Sequence, residues 1–214
     1  SAQHIRPILA PNFPFHVEIG EHFKSKFKFL DKSKKNSTVI FMFVGRDAFT
    51  MTNVLKVIFL DIDGVLLPFP KDENSGSELF PASTLKPLQT LLQAADGAKL
   101  VLSSTWRVRK DFIQDIVDCI QGFGINFDGF FDITDPNMHS ERQWEIERWL
   151  SNNQQKYDKS VWLALDDEEL LEGDDNEKFR SLFEGHVIKT ESRKGLTMDD
   201  VKDALNLWKK QLST

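Results

Sequence analysis

A single cysteine, Cys119, stands in this chain of 214 residues, so no disulfide can close within it. That usage suits a reducing compartment, and a soluble, cytoplasmic setting is the expectation. The five histidines, at 4, 16, 22, 139 and 186, show none of the spacings of a zinc site. No apolar run approaches the roughly 18 to 20 residues that span a bilayer. The stretch from Ser1 to Ala10 also lacks the apolar core of a signal peptide. Basic charge is not in excess either: the net charge is −6, which argues against a dedicated nucleic-acid binder. Internal repeats are absent.

What is present describes a globular protein. Hydrophobic residues make up 40% and charged residues 28%, too apolar a mixture for disorder. The length fits one domain with a small appendage. Charge divides the chain at the same place as pattern does. Residues 1 to 50 carry eight Lys/Arg against four Asp/Glu, whereas the remainder carries nineteen against twenty-nine. Residues 1 to 52 read as an irregular extension, rich in Phe and Lys, with prolines at 7, 11 and 14. One run in it, Val39 to Val44, is apolar enough for a strand. The run Lys24, Lys26, Lys28, Lys32, Lys34 and Lys35 reads first as a solvated face, then as a contact for a membrane or an acidic partner.

From residue 53 to 214 short apolar runs alternate with amphipathic patterns. The runs are Leu55 to Leu60, Lys99 to Ser103, a weaker one near Phe127 to Ile133, Val161 to Leu165, and His186 to Lys189. Short continuous runs suit strands of a parallel sheet covered on both faces. Leu85, Leu88, Leu91 and Leu92 share a helical face, as do Phe112, Ile113, Ile116, Val117 and Ile120. Trp144, Trp149 and Leu150 mark a third helix, and Thr197 with Asp200 forms a capping box for a last one striped by Val201, Leu205 and Trp208. The expected class is α/β, a doubly wound parallel sheet. Past Asp167, the acidic stretch to Glu177 reads as an exposed loop without the ligand spacing of an EF-hand.

Open α/β sheets bind ligands at the carboxyl ends of their strands. Here the first strand runs into Asp61-Ile62-Asp63-Gly64, the second into Ser103-Ser104-Thr105-Trp106-Arg107, and a later one into Asp166-Asp167. Strands lying side by side would gather four carboxylates and a hydroxyl in one crevice. Like charges raise each other's pKa unless a cation intervenes, and Mg²⁺ suits carboxylates, water and a phosphate. The cluster therefore suggests metal-assisted phosphoryl transfer. A thiolate mechanism is excluded, because the phosphatases that use one need an arginine six residues after the cysteine, where this chain has Ile125.

These residues resemble the motifs of the haloacid dehalogenase (HAD) superfamily. Asp61-Ile62-Asp63-Gly64 looks like its first motif, Ser103 after Leu100-Val101-Leu102 its second, and Asp166-Asp167 its fourth. Arg142 is the best match for the third, a Lys or Arg at a helix start, with Lys156 and Lys159 as competitors. A lone DxDG also occurs in solvated turns and calcium loops; three motifs in order at strand ends carry the resemblance, over roughly residues 54 to 210. It implies a HAD-like three-layer fold and a phosphatase whose nucleophile is Asp61, with Asp63 as acid and base. Ser103, Ser104 and Arg142 would hold the phosphoryl group. Mg²⁺ would be held by Asp61, the Asp63 carbonyl and Asp166, supported by Asp167. By their place after the second strand, Trp106 and Arg107 sit where substrate could pass, although Trp106 reads first as a packing residue.

Forty-two residues separate Asp61 from Ser103, and 39 separate Ser103 from Arg142, room for a helix and a strand but not for a folded cap. An open site of this kind is similar to those of capless magnesium-dependent phosphotyrosine phosphatases and of RNA-repair HAD domains. The acidic catalytic portion favours a phosphoprotein, phosphotyrosine first, over a nucleic-acid 3′-phosphate. A non-catalytic binding module is the remaining alternative.

Overall fold

The computed structural model describes residues 54–69, 79–138, 141–157, 159–172 and 176–213. The extension to residue 52, with its lysine run and the apolar run at 39–44, lies outside the described residues, as does His139. Among the described residues five strands form the sheet: β1 (Val54–Leu60), β2 (Lys99–Leu102), β3 (Asp132–Ile133), β4 (Lys159–Asp166) and β5 (Val187–Lys189). All pair in parallel, in the order β3-β2-β1-β4-β5. The helices are α1 (Ala82–Ala94), α2 (Lys110–Gly122), α3 (Arg142–Asn153), α4 (Asn176–Phe183) and α5 (Met198–Ser213).

Two apolar clusters, one on each face of the sheet, make this a three-layer sandwich. Alternation along the strands sorts the side chains between them. Ile58, Leu60, Leu100, Leu102, Leu163 and Leu165 turn to α1, α2 and α5, meeting Leu88, Ile116 and Trp208. Val57, Phe59, Val101, Trp162 and Ala164 turn the other way, to Ile146, Trp149 and Leu150 of α3 and to Phe179 and Phe183 of α4. Phe59 makes edge-on ring contacts with Trp149 and Trp162 at centroid distances of 5.2 and 5.8 Å. The capping box is in place, with Thr197 N–H and Oγ1–H both donating to Asp200 Oδ2 at the start of α5. His186 packs in this framework, stacked 4.2 Å from the Trp162 ring.

Two expectations need correction. The run from Phe127 to Ile133 contributes only Asp132–Ile133 as strand. Phe127 turns instead into the core, edge-on to Phe130 at 5.3 Å, and β2 has only four residues to offer a neighbour. The acidic stretch is also more than an exposed loop. Leu170 is fully buried, and α4 begins at Asn176, delivering Phe179 and Phe183 to the core. An eight-residue helix with two core anchors offers too few periods to stand out from its acidic neighbours. Among the described residues no helix is long and apolar enough to cross a membrane.

Candidate active site

Register explains how the site is assembled. Leu60 pairs with Leu102 on one side and Leu165 on the other, and Leu102 pairs with Ile133. The next residues along these four strands are Asp61, Ser103, Asp166 and Thr134. Each follows a residue that faces α1 and α2 or packs against that cluster, so alternation sends all four to the face covered by α3. Backbone bonds extend the ladder by one residue: Asp61 N–H donates to the Leu165 carbonyl, Ser103 N–H to Leu60, and Thr134 N–H to Leu102. The result is a row, Thr134, Ser103, Asp61, Asp166, across the carboxyl edge of β3, β2, β1 and β4.

Arg142, at the first turn of α3, closes over this row. Its Nη2–H donates to Asp61 Oδ1 at 3.1 Å, its Nε–H to Asp166 Oδ2 at 3.0 Å, and its Nη1–H to Glu145 Oε2 at 3.1 Å. Of the three cations considered for this position, Arg142 is the one that reaches the carboxylates. Lys159 stands at the other end of β4 from Asp166, roughly 23 Å away at about 3.3 Å per strand residue, and its ammonium donates to the Leu212 carbonyl.

Burial sets the electrostatics. It pushes the Asp61 carboxyl up to about 6, against the pull of Arg142 and of hydrogen bonds from Ser104 and Ile62. It pushes Asp166 up to about 7, helped by the charge of Asp61 and opposed by Arg142. Burial would lower Arg142, but Asp166, Asp61 and Glu145 outweigh it and raise that guanidinium. Oxygens of Asp61, Asp166 and Asp167 lie within 4.8 Å of one another. Asp61, Asp166, Asp167 and Glu145 outnumber the guanidiniums of Arg107 and Arg142 by four to two. A cluster of hard oxygen donors with this surplus charge fits a divalent cation. Asp167 belongs to the cluster itself and is held by Ser192 Oγ–H, which donates to its Oδ2 at 2.6 Å.

The loop after β1 is shaped by its neighbours. Gly64 has φ +74°, and a Cβ there would run into the Asp167 carboxylate. Thr190 Oγ1–H donates to the Gly64 carbonyl at 2.8 Å. Asp63 is exposed and stands apart from the cluster; its Oδ2 accepts the Trp106 indole N–H at 2.9 Å. Ser103 Oγ and Thr134 Oγ1 are buried and have no protein partner. A hydroxyl kept dry and unbonded beside a carboxylate is free to donate to an incoming oxygen.

Arg107, expected beside the substrate, has another task. It is 4% exposed, and its donors go to the carbonyls of Ser104, Asp135 and Met138 and to Glu145 Oε1. Glu145 therefore clamps two arginines, one behind the site and one in it. Sequence reasoning passed over Glu145, Thr134, Thr190 and Ser192. Only Glu145 left a trace, its spacing of three from Arg142 on one helix.

A family described as the HAD domain in Swiss Army Knife RNA repair proteins matches residues 57–201. The chain belongs to this family. No curated protein and no solved structure matches it significantly. Membership makes a HAD-type phosphatase or repair function the class of activity, and the match extends from within β1 into α5, across all five strands.

Proposed function

We propose that the chain is a Mg²⁺-dependent phosphomonoester hydrolase that works through an aspartyl-phosphate (acyl phosphate) intermediate on Asp61. The observation that carries this reading is the row of Asp61, Ser103 and Asp166 under one arginine, with Asp63 two residues from Asp61. Asp61 attacks phosphorus, a P–O bond to its carboxylate forms, and the bond to the leaving oxygen breaks. Asp63 gives that oxygen its proton, then takes a proton from the water that attacks the phosphoaspartate, releasing phosphate and restoring Asp61. The Ser103 hydroxyl and Ser104 hold phosphoryl oxygens, and Arg142 offsets their charge. Asp61, Asp166 and the Asp63 carbonyl, with Asp167, would hold Mg²⁺. Bound there, the cation would neutralise charge on the phosphoryl oxygens.

The family's description names RNA repair, which favours a phosphorylated nucleic-acid end as substrate. Motif spacing too short for a folded cap would leave the site open to such an end, as it would to any phosphorylated macromolecule. The net charge of the chain outside its first fifty residues favours a second reading, a phosphoprotein, with phosphotyrosine foremost. Phosphate release from a 3′-phosphorylated oligonucleotide and from a phosphotyrosine peptide, each with Mg²⁺, with EDTA and with Asp61→Asn, tests both. Release from the oligonucleotide that needs metal and Asp61 is the expected result. Release from the peptide alone selects the phosphoprotein, and silence on both leaves a binding module.

A further inference from the structure

The indole of Trp106 reaches across from the loop after β2 to the loop after β1, a separation of 43 residues along the chain. Its placement is firm. A short 3₁₀ turn, Thr105–Val108, carries it, and the Ser104 side chain accepts the Trp106 backbone N–H. The ring is braced by Phe112 at 5.1 Å and Phe80 at 6.3 Å. Packing alone would be served by any large apolar ring. What phenylalanine could not supply is the donor aimed at Asp63 Oδ2. Asp63 itself is exposed, and among the described residues its Oδ1 accepts no hydrogen bond.

We propose that Trp106 is a positioning residue: its indole N–H pins one oxygen of Asp63 and leaves the other free for proton transfer. The inference rests on the acid–base role given to Asp63 above. An exposed aspartate otherwise samples several side-chain rotamers, only some of which aim an oxygen at the leaving group. Holding one oxygen removes that freedom before substrate arrives, as effective proton transfer requires. In the first step the free oxygen carries the proton that the departing alkoxide takes as its P–O bond breaks. In the second the same oxygen accepts a proton from water. Both transfers use an atom that the indole leaves uncovered.

Leaving-group dependence separates positioning from packing. A dinitrophenolate departs with little need of a proton, whereas an alkoxide cannot leave without one. Trp106→Phe keeps the contacts with Phe80 and Phe112 and removes the donor. The expected fall in kcat/KM, which reports the step in which the leaving group departs, is about tenfold larger for an alkyl phosphate than for dinitrophenyl phosphate, a fraction of what general acid catalysis supplies. Benzothienylalanine at position 106, with sulfur in place of the N–H, gives the same difference should phenylalanine disturb folding. Equal losses on both esters, or none on either, overturn the proposal. Asp63→Asn is run beside them. If that variant shows no leaving-group dependence, the acid–base reading of Asp63 fails first; if it does and the Trp106 variants do not, only the positioning role falls.

Discussion

Replacing Glu145 with glutamine should test whether the arginine clamp holds the site together. Glu145 is 4% exposed, and its side chain faces Arg107 and Arg142, whose side chains are 2% and 5% exposed. Glutamine keeps the volume and one acceptor oxygen but removes the charge. Arg142 keeps Asp61 and Asp166, so the loss falls mainly on Arg107, left with three carbonyls and no carboxylate. Breaking a buried pair from one side costs about 3 to 5 kcal/mol. The remaining amide acceptor puts this case at the lower end, about 3 kcal/mol. At about 2 to 4 °C per kcal/mol for a domain of this size, the melting temperature drops by about 6 to 12 °C. Arg142 also loses one of three anchors, so kcat/KM on any phosphomonoester should fall about tenfold. Thermal melts and steady-state kinetics read both effects. The paired change Arg107→Met with Glu145→Leu removes the charges together, and by the same reasoning costs far less stability than Glu145→Gln. A shift below about 2 °C for Glu145→Gln, against the scale above, would refute the idea that this triad is energetically coupled.

Ser103→Ala removes a buried hydroxyl with no protein partner, so stability should hold or rise by about 1 kcal/mol while kcat/KM falls about tenfold to a hundredfold; a melt and a kinetic assay separate the two. Asp61 and Asp166 have folded pKa values raised above 3.8, to about 6 and about 7, so their contribution to metal-free stability is greatest below pH 4 and is lost as pH rises through 6 to 7. On the proposed assignment Mg²⁺ binds the ionised pair, so its stabilising shift in melting temperature should grow between pH 5 and pH 8, across those same values; a shift independent of pH would contradict the assignment of these ligands. Gly195 has φ +67°, and a Cβ would come 2.5 Å from the Val65 carbonyl oxygen. Gly195→Ala should destabilise by at least about 1 to 2 kcal/mol, and a chemical denaturation curve measures it.

The sequence by itself determined the α/β class, the order of the site's motifs and the identity of the residues at the strand ends. Apolar runs that alternate with helical stripes report burial directly, because a parallel strand covered on both faces has no polar side to show. That is why β1, β2, β4 and β5 were legible, while the two-residue β3 and the acidic-flanked α4 were not. Whether Asp61, Ser103 and Asp166 share a face was not written in their spacing. It follows from register, since a slip of one residue would send a side chain to the other side of the sheet. Tertiary structure alone brought Arg142 of α3 onto Asp61, 81 positions away, and passed over Lys159, which begins β4 at the wrong end. It also turned Arg107 inward to Glu145 and Trp106 toward Asp63, two outcomes that depend on how α3 and the turn after β2 approach the sheet edge. Strand composition is a local property and can be read along the chain. The direction in which a long polar side chain spends its hydrogen bonds is set by partners dozens of residues away, and only the folded chain decides it.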